Sequence, residues 1–66
     1  MEKYDFGLLE GGRVVDLRPM GQGNAALMWN GSCWESYTGY VGTLLDARPL
    51  TEATAMRLLG VAPVGA

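Results

Sequence analysis

The sequence predicts an α+β fold: a small antiparallel β-sheet of two hairpins plus a further strand, with one C-terminal helix packed on one face. Three observations predict it. Gly11-Gly12 and Asn30-Gly31 each separate two short apolar runs, which is the hairpin pattern. Tyr40–Leu45 supplies another run after the turn signal Thr38-Gly39. Thr51 and Gly60 then bracket a segment with the start and stop signals of a helix.

In the upstream hairpin, residues 4–10 pair with residues 13–18 across Gly11-Gly12. Setting Glu10 opposite Arg13 puts Leu9 by Val14, Leu8 by Val15, Phe6 by Leu17 and Asp5 by Arg18. Opposite charges and apolar side chains then meet from a single assumption, whereas a one-residue slip would turn every side chain over. The competing reading makes residues 4–10 a short helix stopped by the glycines, with Phe6 and Leu9 facing the core.

Met20–Asn24 reads as loop. Its Gly21-Gln22-Gly23, with Ala26 following, has the form of a dinucleotide-binding turn, but that motif must open a long helix within a βαβ unit. Asn30-Gly31 interrupts too soon, so the segment is read as a connection between hairpins.

The second hairpin is assigned a two-residue type I′ turn at Asn30-Gly31. This sets Trp29 opposite Ser32, Met28 opposite Cys33, Leu27 opposite Trp34 and Ala26 opposite Glu35. Ala25, Leu27, Trp29 and Trp34 then form one face, expected to be the core side. Ala26, Met28, Cys33, Glu35 and Tyr37 form the other. Asn30-Gly31-Ser32 also fits a glycosylation sequon, for which the turn is the preferred reading.

Tyr40–Leu45 is expected to be the last strand, ended by Asp46–Pro49. A helix over Glu52–Leu59 follows, with Thr51 as N-cap and Glu52 and Arg57 suited to the two ends of the helix dipole. Ala55, Met56, Leu58 and Leu59, with Val61 beyond, make a stripe that can lie on the sheet. Residues 61–66 are expected to be a docked or frayed tail.

With 66 residues the chain is one domain. A domain this small buries only ~60% of the surface of its unfolded form, so its core needs a supplement. A lone Cys33 cannot make an internal disulfide, and without histidine an ordinary Cys/His zinc site cannot form. Close packing or a partner chain remains. Hydrophobic content of 48% is that of a folded protein. Lys3, Arg13, Arg18, Arg48 and Arg57 are too dispersed for a basic stripe, so direct nucleic-acid binding is not expected. No run is long and apolar enough for a membrane span, and the first residues lack a secretory pattern; a cytoplasmic protein is expected.

The absence of histidine removes Ser-His-Asp and Cys-His chemistry. Glu10, Asp16, Glu35 and Asp46 are not brought into pairs by the expected register, and they read as solvated carboxylates. Nothing basic adjoins Cys33 to activate its thiol. No enzyme activity, cofactor or metal is therefore expected. A single helix covers one side of the sheet, which leaves the other for water or a partner. Met28, Cys33, Glu35 and Tyr37 are expected there, joined by Tyr40, with Trp29 next if the faces are exchanged; methionine and aromatic residues suit interface cores. A sheet curled into a small barrel would instead bury part of both faces.

The expected function is a non-catalytic protein-binding module that inhibits or regulates a larger protein. Phage and mobile-element accessory proteins, anti-CRISPR inhibitors among them, are the type that size and composition suggest; no motif identifies one. The alternative is a homo-oligomer that holds a small anionic ligand between subunits, using Arg13 or Arg18 near the glycine-rich turns.

Overall fold

A computed structural model describes residues 3–60. It contains β1 (Phe6–Leu8), β2 (Val14–Asp16), a 3₁₀ helix (Arg18–Gln22), β3 (Leu27–Trp29), β4 (Trp34–Ser36), α1 (Val41–Leu45), β5 (Arg48–Leu50) and α2 (Glu52–Leu59). The strands form one open antiparallel sheet in the order β4-β3-β2-β1-β5. Strands β1 to β4 are a meander. The chain then crosses from one edge of the sheet to the other through α1 and enters as β5 beside β1.

Residues 4–10 supply a strand and the hairpin forms, but its register differs from the expected one. Phe6 faces Asp16, Gly7 faces Val15 and Leu8 faces Val14. The loop is one residue longer: Leu9 N–H donates to the Arg13 carbonyl, and Gly12 N–H donates to the Leu9 carbonyl. That turn places Gly11 at its third position with φ 94°, where a type II turn needs a residue free to adopt positive φ. Turn geometry therefore outweighed the Glu10–Arg13 and Asp5–Arg18 pairs, and β2 is inverted relative to β1 against the expectation.

The second turn is displaced too. Trp29 faces Trp34, Met28 faces Glu35 and Leu27 faces Ser36, so Gly31-Ser32 is the two-residue loop. Only Gly31 has positive φ, 102°, the pattern of a type II′ turn, whereas type I′ would require it of both residues. Asn30 Oδ1 drives the shift by accepting from the N–H groups of Ser32 and Cys33. Because the register moved by two residues, the faces survive: Leu27, Trp29 and Trp34 share one, and Met28, Glu35 and Tyr37 the other.

Each face has its own core. On one side Phe6, Val14 and Leu50 pack with Ala55 and Met56 of α2, with Leu8, Trp34 and Leu59 at the margin. On the other, Leu9, Val15 and Ala26 pack with Leu44 of α1, bordered by Leu17, Met28, Tyr37 and Ala47. The expectation that one helix covers one face and leaves the other bare is thus corrected, and so is the assignment of the last strand. Tyr40–Leu45 crosses over the sheet as a short helix, because the chain must pass from β4 to the far edge and Leu44 fills the space above Val15. Ala25, expected in the core, is exposed.

The last strand is β5, in which Pro49 lies opposite Gly7. Gly7 directs its hydrogen-bonding groups toward β2, as alternation from the Leu9–Arg13 and Asp5–Leu17 bonds requires. Pro49 therefore faces a non-hydrogen-bonded position, and its missing N–H lies on the free edge, where proline is tolerated.

Helix α2 is as expected. Thr51 Oγ1 accepts from Thr54 N–H at 3.2 Å, Glu52 and Arg57 occupy the first and last turns, and Gly60 caps the end. Ala55 and Met56 are buried, whereas Leu58, expected on the packed stripe, is exposed. Val61 and the expected tail lie outside the described residues.

Candidate functional site

The β2–β3 pairing sets Val15 opposite Met28, and alternation along β2 puts Arg13 on that same face. Two clefts open there. The larger, of about 440 Å³, is lined by Leu9, Arg13, Met28 and Tyr37 on the sheet side and by Thr38, Gly39 and Thr43 on the crossover side, with Glu10 at its rim. A second cleft of about 400 Å³ adjoins it and is lined by Arg13, Met28, Trp29, Asn30 and Glu35. Arg13 and Met28 belong to both. Together the clefts make one groove, apolar at Leu9, Met28 and Tyr37 and charged at Arg13, Glu10 and Glu35.

Local chemistry holds the groove's walls. Tyr37 N–H donates to the Ala26 carbonyl at 2.7 Å, which anchors the end of β4, and the Tyr37 hydroxyl donates to the Tyr40 carbonyl at 3.1 Å. The ring lies so close to Gly39 that a Cβ there would overlap its hydroxyl. At the other end Asn30 Nδ2 donates to Glu35 Oε2 at 3.2 Å and to Cys33 Sγ at 3.5 Å. One asparagine thus shapes the turn and orients the carboxylate. Arg13 is exposed and makes no ion pair among the described residues.

The expected partner-binding residues divide into three groups. Met28, Glu35 and Tyr37 line the groove together. Cys33 is an exposed free thiol in the β3–β4 turn, and Tyr40 is 79% exposed at the start of α1, outside the groove. Trp29 belongs to the opposite face, where its ring meets Trp34 edge-on at 5.3 Å; its margin reaches the second cleft. Arg13 was missed as a groove residue because the sequence reading assigned no pairing between the two hairpins, and it is the β2–β3 pairing of Val15 with Met28 that places Arg13 there. The signal that was available is the alternation along β2, which keeps Arg13 on the face of Val15.

Arg18, the other arginine expected to approach an anion, is already engaged. Its Nε and Nη2 donate to the two carboxylate oxygens of Asp16 at 3.0 and 2.9 Å, and Nη1 lies 3.6 Å from Glu52. Its guanidinium also sits 4.8 Å from the centre of the Phe6 ring. The hydrogen bonds to Asp16 raise the Arg18 pKa further above its ordinary value. This cluster ties β2 to the start of α2. The Gly21-Gln22-Gly23 string lies at the end of the 3₁₀ helix, and no long helix follows it. Among the described residues no cluster of acidic or cysteine side chains is placed to hold a metal ion, and no helix is long and apolar enough to cross a membrane.

No family model matches the chain, and no curated protein or solved structure shows significant similarity to it.

Proposed function

We propose that this protein is a non-catalytic binding module that docks on a larger protein through the Met28–Tyr37 groove and acts by occupying that protein's surface, as an inhibitor or regulator. The observation that supports this reading is the convergence of Met28, Tyr37 and Glu35 with the unpaired Arg13 on one groove. Met28, Leu9 and Tyr37 supply apolar surface to bury, and the charged side chains along the groove supply orientation. The chain contains no histidine to serve as an acid–base group, which agrees with binding as the whole activity.

Arg13 also favours a second reading, a small anionic ligand held between subunits. Glu10 and Glu35 border the same groove and would repel an anion, so the protein-docking reading has the better electrostatic match. Affinity capture from the cells of the source organism and of any host it infects, with crosslinking at the groove, tests the choice. Wild type is expected to recover a partner that Arg13→Glu and Met28→Ala lose, while Arg57→Glu on α2 retains it. If both groove variants recovered the same proteins as wild type with their folds intact, the assignment would be wrong.

A further inference from the structure

Asn30 is exposed, is followed by Gly31, and has its side-chain amide held at both ends. Oδ1 accepts from the N–H groups of Ser32 and Cys33, each at 2.9 Å, which folds the side chain back along Gly31. Nδ2 donates to Glu35 Oε2 at 3.2 Å and to Cys33 Sγ at 3.5 Å. Gly31 carries no Cβ, and the space where one would stand is open. The amide carbon of Asn30 thus has an unhindered backbone nitrogen next to it in the chain and two N–H donors on its oxygen.

We propose that Asn30 is a site of spontaneous deamidation, and that its conversion replaces the Asn30–Glu35 hydrogen bond by a repulsion between carboxylates. The Gly31 nitrogen gives up its proton to solvent base and attacks Asn30 Cγ, closing a five-membered succinimide. Negative charge develops on Oδ1, where the Ser32 and Cys33 N–H groups already point. The Cγ–Nδ2 bond then breaks, and Nδ2 leaves as ammonia with a proton from solvent. A water molecule opens the ring. Opening at Cγ gives aspartate, whereas opening at the main-chain carbonyl gives isoaspartate and inserts a methylene into the main chain. That insertion lengthens a loop whose two-residue span sets the β3–β4 register. The second cleft, lined by Arg13, Asn30 and Glu35, changes from charge-balanced to negative. Asn24 is also exposed, but Ala25 follows it and its Cβ crowds the attacking nitrogen. Gln22 precedes Gly23, yet its longer side chain must close a six-membered ring.

Incubating the folded protein in mildly alkaline buffer, with peptide mapping by mass spectrometry over time, tests the proposal. Asn30 is expected to convert more than about tenfold faster than Asn24, because the residue after it has no Cβ in the way. The rate should rise with pH, and added hydroxylamine should cleave the chain between Asn30 and Gly31, the mark of the succinimide. Asn30→Asp reproduces the aspartate product and keeps the acceptor for the Ser32 and Cys33 N–H groups. It is expected to lower the urea midpoint, and Glu35→Gln in that background should restore it, since an amide at position 35 can donate to the new carboxylate. An Asn30 that stays intact in the folded protein while the urea-unfolded chain converts would overturn the proposal, as would equal conversion of Asn24. An Asn30→Asp midpoint equal to that of wild type would overturn the repulsion with Glu35.

Discussion

Asp16 and Gly7 are the two residues whose surroundings depart furthest from what their neighbours in the chain suggest. Asp16 is nearly buried on the α2 face and accepts two hydrogen bonds from the Arg18 side chain and one from its backbone N–H. Arg18→Ala leaves the carboxylate in an apolar setting without its cation, which is expected to cost about 2 kcal/mol. Half of Arg18 is in solvent, which limits the effect. A double-mutant cycle with Asp16→Ala, read by urea unfolding, should show a coupling energy; additive effects would mean that the pair contributes nothing. Gly7 lies under the crossover, where a Cβ would stand 2.9 Å from the Ala47 Cβ and 3.3 Å from a methyl of Val15. Gly7→Ala is therefore expected to destabilise by about 2 kcal/mol through overpacking. Adding Ala47→Gly should restore much of the loss in a thermal melt, and failure to do so would show that the contact is not limiting. The Asp16–Arg18 spacing was visible in the sequence, but the assumed register assigned Arg18 to Asp5.

At the scale of elements, α2 was legible because its signals are local. The cap, the dipole charges and the terminal glycine act within a few residues of one another, and Thr51→Ala is expected to cost about 1 kcal/mol. A lower urea midpoint with an unchanged m-value would register it, and Thr51→Ser should behave as wild type. The hairpins were legible as hairpins, and their registers were not. Gly11-Gly12 permits two- and three-residue loops alike, and Asn30-Gly31 supports a type I′ turn as readily as Gly31-Ser32 supports type II′. The second hairpin kept its faces because its shift was even in residue count. The first lost them because its loop grew by one. Tyr40–Leu45 misled for another reason: its composition suits a strand, yet the crossover geometry and the seat for Leu44 made it a helix.

For the whole molecule, the two-sided sheet decides what surface remains for binding. The crossover buries the centre of the face that the sequence left open, and what survives is a groove beside α1 and an apolar patch on top of it. Met28, Tyr37 and Glu35 were identified from alternation along the hairpin, and they do share a groove. Arg13 entered only with the pairing of β2 against β3, and Tyr40 moved from a strand face to a helix end. The sequence by itself determined the class of fold, the hairpin faces of β3 and β4, helix α2 and the absence of histidine chemistry. These follow from periodicity of two, local capping and composition, each of which operates over short separations. Only the tertiary structure decided the inversion of β2, the path of the chain from β4 to β5 and the cover on the second face. Those depend on turn conformation and on long-range packing between Leu44, Ala47, Gly7 and Val15, where the preferred local state gives way to the one that fills space.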